Sequence, residues 1–268
     1  MDMTTIFGLL AGLAALISGF LLEGGQLNGL FKATAALIVF GGTFAAVAVS
    51  FPMSRLRMIP KALQFAFTKP QHDPYEKMDE FTEYALITRR HGMLAIEKHV
   101  SAHPDDFMRE GLMMVMDGTD PALIRQILEL QMDVAEQRHE GYAKIFEAAG
   151  GYAPTMGIIG TVMGMIHVLG NLTDPGMLGP SIAIAFTATL YGVVSANLIY
   201  LPIASKINTR SMDEIQHMEF MMHGILAIQA GEPPHVIRKK LDALLLTDDP
   251  SVTLMQLKKK AVGHEIQE

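Results

Sequence analysis

The stretch YAPTMGIIGTVMGMI, residues 152–166, decides how the rest of the chain is read. It carries no Asp, Glu, Lys or Arg, yet Pro154, Gly157, Gly160, Thr161 and Gly164 all weaken a helix in water. In a bilayer the balance changes, because small residues let helices approach closely. Gly160-x-x-x-Gly164, with Gly157 about one turn earlier, then forms a packing stripe. That accounts for the glycines but not for Pro154 or Thr161.

A hydrocarbon core of about 30 Å needs roughly 20 apolar residues in a helix. Four windows qualify, residues 4–22, 33–52, 152–170 and 181–203, and none contains Asp, Glu, Lys or Arg. Composition agrees: 50% of the 268 residues are hydrophobic and the mean hydropathy is +0.27, values of a membrane protein. No basic segment precedes the first window, and GFLLEGGQLNG (residues 19–29) lacks a small-x-small cleavage signal. A retained first span is expected.

Connector lengths and charge give the direction of each span. Of 21 Lys and Arg, only Lys32 falls in a short loop, whereas Arg55, Arg57 and Lys61 follow span two and Lys206 and Arg210 follow span four. Positive residues mark the cytoplasmic side. The large second connector, the tail and both termini are therefore expected in the cytoplasm, with span three running outward and span four inward. The resulting division is 1–52 for spans one and two, 53–150 for a helical connector, 151–205 for spans three and four, and 206–268 for a helical tail.

Several chemistries are excluded or disfavoured. The chain has no cysteine, so it has no disulfide, thiolate metal site or cysteine nucleophile. A net charge of -7 with no basic face argues against nucleic acid. The cluster GIIGTVMG lacks the lysine of a phosphate loop and lies inside a span. Ten histidines make no HExxH pair, and His91, His99 and His103 read as solvated surface residues rather than a zinc site. The 20 methionines read as helix core filler.

The cytoplasmic segments also read as helical, which makes the fold all-α. Asp73-Pro74 and Asp120-Pro121 are start signals, Asp as cap and Pro in the first turn. From Pro121 a helical pattern runs straight into span three, as a rod expected to loosen at Gly150-Gly151. After span four an amphipathic pattern continues to Gly231 and the EPP that follows it. A short helix over HVIRKKLDALL and a charged, frayed KKKAVGHEIQE end the chain.

Span four is unusually polar, with Thr187, Thr189, Tyr191, Ser195 and Asn197. Thr187, Tyr191 and Ser195 share one face. A transmembrane threonine commonly bonds its own i−4 carbonyl and means little. Pro154 and Pro202 both fall near the cytoplasmic boundary, where each removes a backbone bond and makes either a static kink or a hinge. The spans offer no carboxylate. A conducted cation needs one, or a cage of carbonyls, at membrane depth, so another chain would have to supply the acid.

The stretch AFTATLYGVVSANLIYLP, residues 185–202, resembles the signature of flagellar motor stator A subunits of the MotA and PomA type, in the MotA/TolQ/ExbB superfamily. Ala185, Phe186, Thr189, Gly192 and Pro202 carry the match, and the four-span layout agrees along the whole chain. The resemblance implies a multi-pass protein of the bacterial inner membrane that forms a homo-oligomeric ring, a pentamer, around B subunits of MotB or PomB type. The B chain brings the membrane Asp that binds the coupling ion, and the ring turns the rotor switch complex. It implies no cofactor and no enzymatic activity. Pro154 and Pro202 fall on the family's torque-coupling prolines, and Thr189 on the threonine of the ion path. The Arg-x-x-Gly-x-x-x-x-Glu pattern of rotor-facing charges falls on Arg89, Gly92 and Glu97, with Arg90 beside them.

Sodium-type members resemble this chain in having Thr seven residues after the span-three proline, here Thr161. Sodium must exchange hydration for oxygen ligands, whereas a proton needs only the carboxylate. Thr161 facing Thr189 would provide such ligands, so sodium is expected and a proton-driven stator is the alternative. An ExbB or TolQ type energiser resembles a three-span layout, which the fourth span disfavours. An intramembrane enzyme would need paired acids, or a serine with a base, and no span contains an acid or a lysine; His167 lies near the outer end of span three.

Overall fold

Residues 3–68, 73–170 and 175–246 are described by a computed structural model, and every regular element among them is helical. Four helices are long and apolar enough to cross a membrane: Thr4–Leu22, Ala33–Ser50, Pro121–Gly170 and Leu178–Gln229. The last two extend well beyond a bilayer's thickness. At 1.5 Å per residue, the 50 residues of Pro121–Gly170 reach about 75 Å. Span four begins earlier than its apolar window, at Pro175, where proline is tolerated in a first turn. The charged end KKKAVGHEIQE and residues 171–174 of the third connector lie outside the described residues.

The helix starts follow the sequence signals. Asp73 Oδ1 accepts the Tyr75 N–H at 2.9 Å, and Asp120 Oδ1 accepts that of Ala122 at 2.9 Å. A third cap, Asp105 to the Met108 N–H at 3.0 Å, opens the Asp106–Met116 helix. The expected loosening at Gly150-Gly151 is absent, since the helix is unbroken through both. Packing is the reason: a Cβ at Gly150 would stand 2.6 Å from the Leu201 side chain. Gly150 therefore serves close approach rather than bending.

Pro202 is accommodated differently from Pro154. The helix makes a π turn over Ala196–Tyr200 and resumes α geometry at Leu201. A proline has no N–H to give and its ring crowds the carbonyl four residues back. The wider turn just before it relieves that crowding. Pro154 instead sits inside the continuous Pro121–Gly170 helix.

The chain packs as two compact units, Met1–Lys69 with Gln137–Ser211, and Pro70–Glu136 with Met212–Glu268. In the second, the core contains Phe81, Ile124, Leu128, Ile225, Ile237 and Leu241, all fully buried, together with buried Met78, Met108, Met221 and Met222. Methionine does act as core filler here. Gly111 and Gly224 leave room for the Ile225 and Phe81 side chains. His103 departs from the reading as a solvated surface residue. It is 7% exposed, with Nε2 3.0 Å from Glu80 Oε1 and Nδ1 3.1 Å from the Asp105 nitrogen. Glu80 also accepts from Lys77 and from the Tyr84 hydroxyl, each at 2.8 Å. Burial alone would raise the Glu80 pKa, but these hydrogen bonds and the Lys77 and His103 charges lower it. The cluster satisfies its polar groups internally, with no metal-binding set among the described residues.

In the first unit, Ala62 and Ala66 pack against Tyr142, Ala143, Phe146, Ala204 and Ile207. His139 lies in this region, 4% exposed, stacked on Phe65 at 4.1 Å with Nδ1 3.2 Å from Ser211 Oγ. Burial, and then the Arg138 charge, lower its pKa from 6.5 to about 4. Between those two values the unfolded chain binds a proton that the folded chain refuses, so acidification across that window favours unfolding. The wild type should lose stability relative to His139→Phe as pH falls from 6.5 to 5, by up to about 1.4 kcal/mol per pH unit. Melting of the solubilised protein checks this, and a difference constant with pH would contradict it.

Candidate functional site

The glycine stripe of span three meets span four. A Cβ at Gly164 would stand 2.7 Å from Ala185 Cβ, at Gly160 2.6 Å from Ala188 Cβ, and at Gly157 3.0 Å from the Ala188 carbonyl oxygen. The small residues are reciprocal, because a Cβ at Gly192 would lie 2.4 Å from the Ala153 carbonyl oxygen and 3.1 Å from Pro154 Cα. The antiparallel contact thus runs from Gly164 against Ala185 to Gly150 against Leu201. Pro154 lies within it, backed by Gly192.

This contact brings the two threonines singled out in the sequence together. Thr161 Oγ1 and Thr189 Oγ1 are hydrogen-bonded to each other. Thr161 Oγ1 lies 3.2 Å from the Gly157 carbonyl and 3.1 Å from that of Ala185, and Thr189 Oγ1 lies 3.4 Å from the Gly157 carbonyl. Four oxygens converge, and the two carbonyls also accept backbone N–H groups within their own helices. Thr161 does contact its own i−4 carbonyl, as a lone threonine would, but the cross-span partners make it more than a local bond. Such a set of neutral oxygens suits a hard cation. The carbonyls of Gly157 and Ala185 have no sequence signature; Gly157 stood out only for packing and Ala185 only for the resemblance.

Spans one and two complete the first unit. Gly12 of span one meets the Leu198 side chain, 3.0 Å from a Cβ placed there, on the π turn of span four. Ala35 and Val39 of span two pack on Ala188, and Gly42 admits the Met156 side chain. Ser50 and Tyr152 hydroxyls join at 2.8 Å near the ends of spans two and three. Along span three, Ile158, Val162, Ile166 and Leu169 remain more than half exposed, as does Phe186 of span four. Among the described residues, apolar surface beside the threonine pair is therefore left uncovered.

In the second unit, Arg89 and Arg90 occupy the last turn of the Pro74–His91 helix. The chain then turns at Gly92, whose φ of 84° is the left-handed region that favours glycine. Buried Ile96 and Val100 anchor the short helices that follow. Arg89, Arg90 and Glu97 are all exposed. The glycine of the Arg-x-x-Gly-x-x-x-x-Glu pattern thus has a backbone reason.

An oxygen cluster thus lies between spans three and four, whose apolar windows contain no acid. Comparison with known proteins gives the family. Residues 99–220 match the MotA/TolQ/ExbB proton channel family, and residues 6–91 match the motility protein A N-terminal family. Motility protein A of Bacillus subtilis is 34% identical over 90% of this chain and 90% of its own length. Chemotaxis protein PomA of Vibrio alginolyticus is 34% identical over 88% of this chain and 92% of its own. The flagellar MotAB stator complex from Bacillus subtilis superimposes with a TM-score of 0.88 at 33% identity, covering 95% of this chain and 99% of that one. A C. jejuni MotAB structure gives 0.88 at 28%, covering 93% and 98%. The chain belongs to the MotA/TolQ/ExbB proton channel family, as a stator subunit of MotA/PomA type and not an enzyme.

The span contact can be tested by contrast. Gly192→Ala drives a methyl into the Ala153 carbonyl, whereas nothing lies within 4 Å of a Cβ at Gly151. Gly192→Ala should reduce the yield of assembled protein and abolish motility, and Gly151→Ala should leave both intact. Wild-type yield and swimming for Gly192→Ala would refute the contact.

Proposed function

We propose that this chain forms, with a B subunit, an ion channel that couples inward flow of sodium to torque on the rotor switch complex. The observation that carries the reading is the joined Thr161 and Thr189 hydroxyls, with two backbone carbonyls, inside spans that lack any carboxylate. The B subunit supplies the acid on which the ion rests between steps. The uncovered apolar surface beside the pair is where its helix fits, and the names of the MotAB relatives support such a partner. A homo-oligomeric ring, a pentamer in the bacterial inner membrane, places one such path at each contact with the B pair.

The ligand count supports sodium. The ion must replace lost water with oxygens, and this cluster offers two hydroxyls and two carbonyls. A proton would need none of them, and the proton-driven stator is the alternative because the family description names proton channels. Pro154, packed on Gly192, and Pro202, set just after a π turn, act as the joints that carry movement from the spans into the helices beyond them. Arg89, Arg90 and Glu97 give the exposed charges that engage the rotor, where complementarity sets rate and orientation more than affinity.

The reading is tested in a stator-deleted host carrying this chain and its B subunit. Thr161→Ala removes an oxygen that contacts the cation, on the order of 1.5 kcal/mol, and should raise the half-saturating sodium for swimming about tenfold with expression unchanged. Identical titration curves would refute the sodium role. Reversing charge at both Arg89 and Glu97 should impair rotation while ion conduction and assembly persist. A leak or an assembly defect instead would move those residues to a folding role.

A further inference from the structure

Span two holds span three on both sides of Pro154. Tyr152, just before the proline, meets the Ser50 hydroxyl with its own at 2.8 Å. Met156, just after it, fills the space left by Gly42, where a Cβ would stand 2.7 Å from the Met156 sulfur. Both holds come from one regular stretch of helix, Gly42–Ser50. Ile145 and Ala149 pack on Val47 of the same stretch, and the Tyr152 ring packs against that group.

Helical geometry separates the faces. At about 100° per residue, positions 145, 149, 152 and 156 share one face and 154 lies opposite. That opposite face meets span four, where a Cβ at Gly192 would lie 3.1 Å from Pro154 Cα. A proline withholds a backbone hydrogen bond and weakens the helix where it sits, yet the helix runs unbroken from Pro121 to Gly170. A bend at Pro154 swings residues 152 and 156 relative to each other, so a straight helix that holds both resists it. Met156 against Gly42 is apolar packing and tolerates sliding. The hydroxyl pair is directional and breaks.

Proton bookkeeping fixes the sense of that bond. Ser50 Oγ donates to the Ala46 carbonyl at 2.8 Å, so the Tyr152 hydroxyl is the donor to Ser50 Oγ. Thr155, on the far side of the proline, donates from Oγ1 to the Tyr152 carbonyl at 2.7 Å. Tyr152 is thus tied to span two through its side chain and across the proline through its backbone.

We infer that Tyr152 and Ser50 are positioning residues of the torque step: their hydrogen bond latches the joint at Pro154 straight until movement of the spans releases it. This rests on reading Pro154 as a joint. Without the latch the joint is straight only part of the time, and the stroke shortens. Thr161 lies about two turns further along span three, outside the latch, so ion affinity is not touched.

The complete stator, this chain with its B subunit in a stator-deleted host, is tested by torque near stall and by swimming titrated against external sodium and external pH. Tyr152→Phe removes the hydroxyl and keeps the ring. It should lower stall torque per assembled stator and leave both titration midpoints unchanged. Ser50→Ala should do the same, and the double variant should lose no more than either single one, because each removes the same bond. Ser50→Thr keeps the acceptor and should retain full torque. Full torque in Tyr152→Phe overturns the latch, as do losses that add in the double variant. A shifted midpoint at unchanged torque overturns the torque role, and loss of the assembled complex in both single variants overturns it in favour of a folding role. Pro154→Ala is measured beside them. Normal stall torque there refutes the joint itself, whereas torque lost in Pro154→Ala but kept in Tyr152→Phe refutes the latch alone.

Discussion

Everything in the membrane half depends on how closely spans three and four approach. Glycine at 157, 160, 164 and 192 leaves no side chain between the two backbones, and a methyl at any of these positions would stand within 3.0 Å of a neighbouring atom. Without a hydrophobic effect to drive helices together in lipid, such contact is what holds them. It also sets the chemistry, because two threonine hydroxyls on separate helices meet only when the helices touch. Separation by the thickness of one side chain would return each hydroxyl to its own i−4 carbonyl and leave no shared oxygen cluster.

The same contact bears on how movement could leave the membrane. Pro154 is pressed against Gly192, and Gly150 against Leu201, next to Pro202. A change at the threonine pair therefore has a tightly packed route along both helices toward the two prolines. Tight packing transmits displacement because cores resist compression. Both helices continue without a break, from Pro121 through Gly170 and from Leu201 to Gln229.

Much of this was legible in the sequence, and the rest was hidden for identifiable reasons. Span number, the Asp caps and the proline positions follow from apolar length and local signals that involve neighbours in the chain. The pairing of Thr161 with Thr189 came from the resemblance, and the packing gives it a cause. Gly150-Gly151 misled because propensity describes a helix in water, whereas here Leu201 fills the space a side chain would take. His103 misled because its partner Glu80 lies 23 residues away, and no local pattern announces a buried pair. The hydrogen bonds of the Tyr191 hydroxyl escaped because their partners are the Leu30 carbonyl and the Lys32 N–H, backbone groups that any residue but proline would supply.

The central claim is that the Thr161 and Thr189 oxygens and an acid from a second chain form one ion path. The direct measurement is disulfide cross-linking in cells between Thr189→Cys, the only cysteine of this chain, and a cysteine placed one turn from the membrane Asp of the B subunit. The account predicts a cross-linked A–B product at Thr189 and none at Phe44→Cys, an exposed position of span two. Cross-linking from Phe44 with none from Thr189 would contradict it.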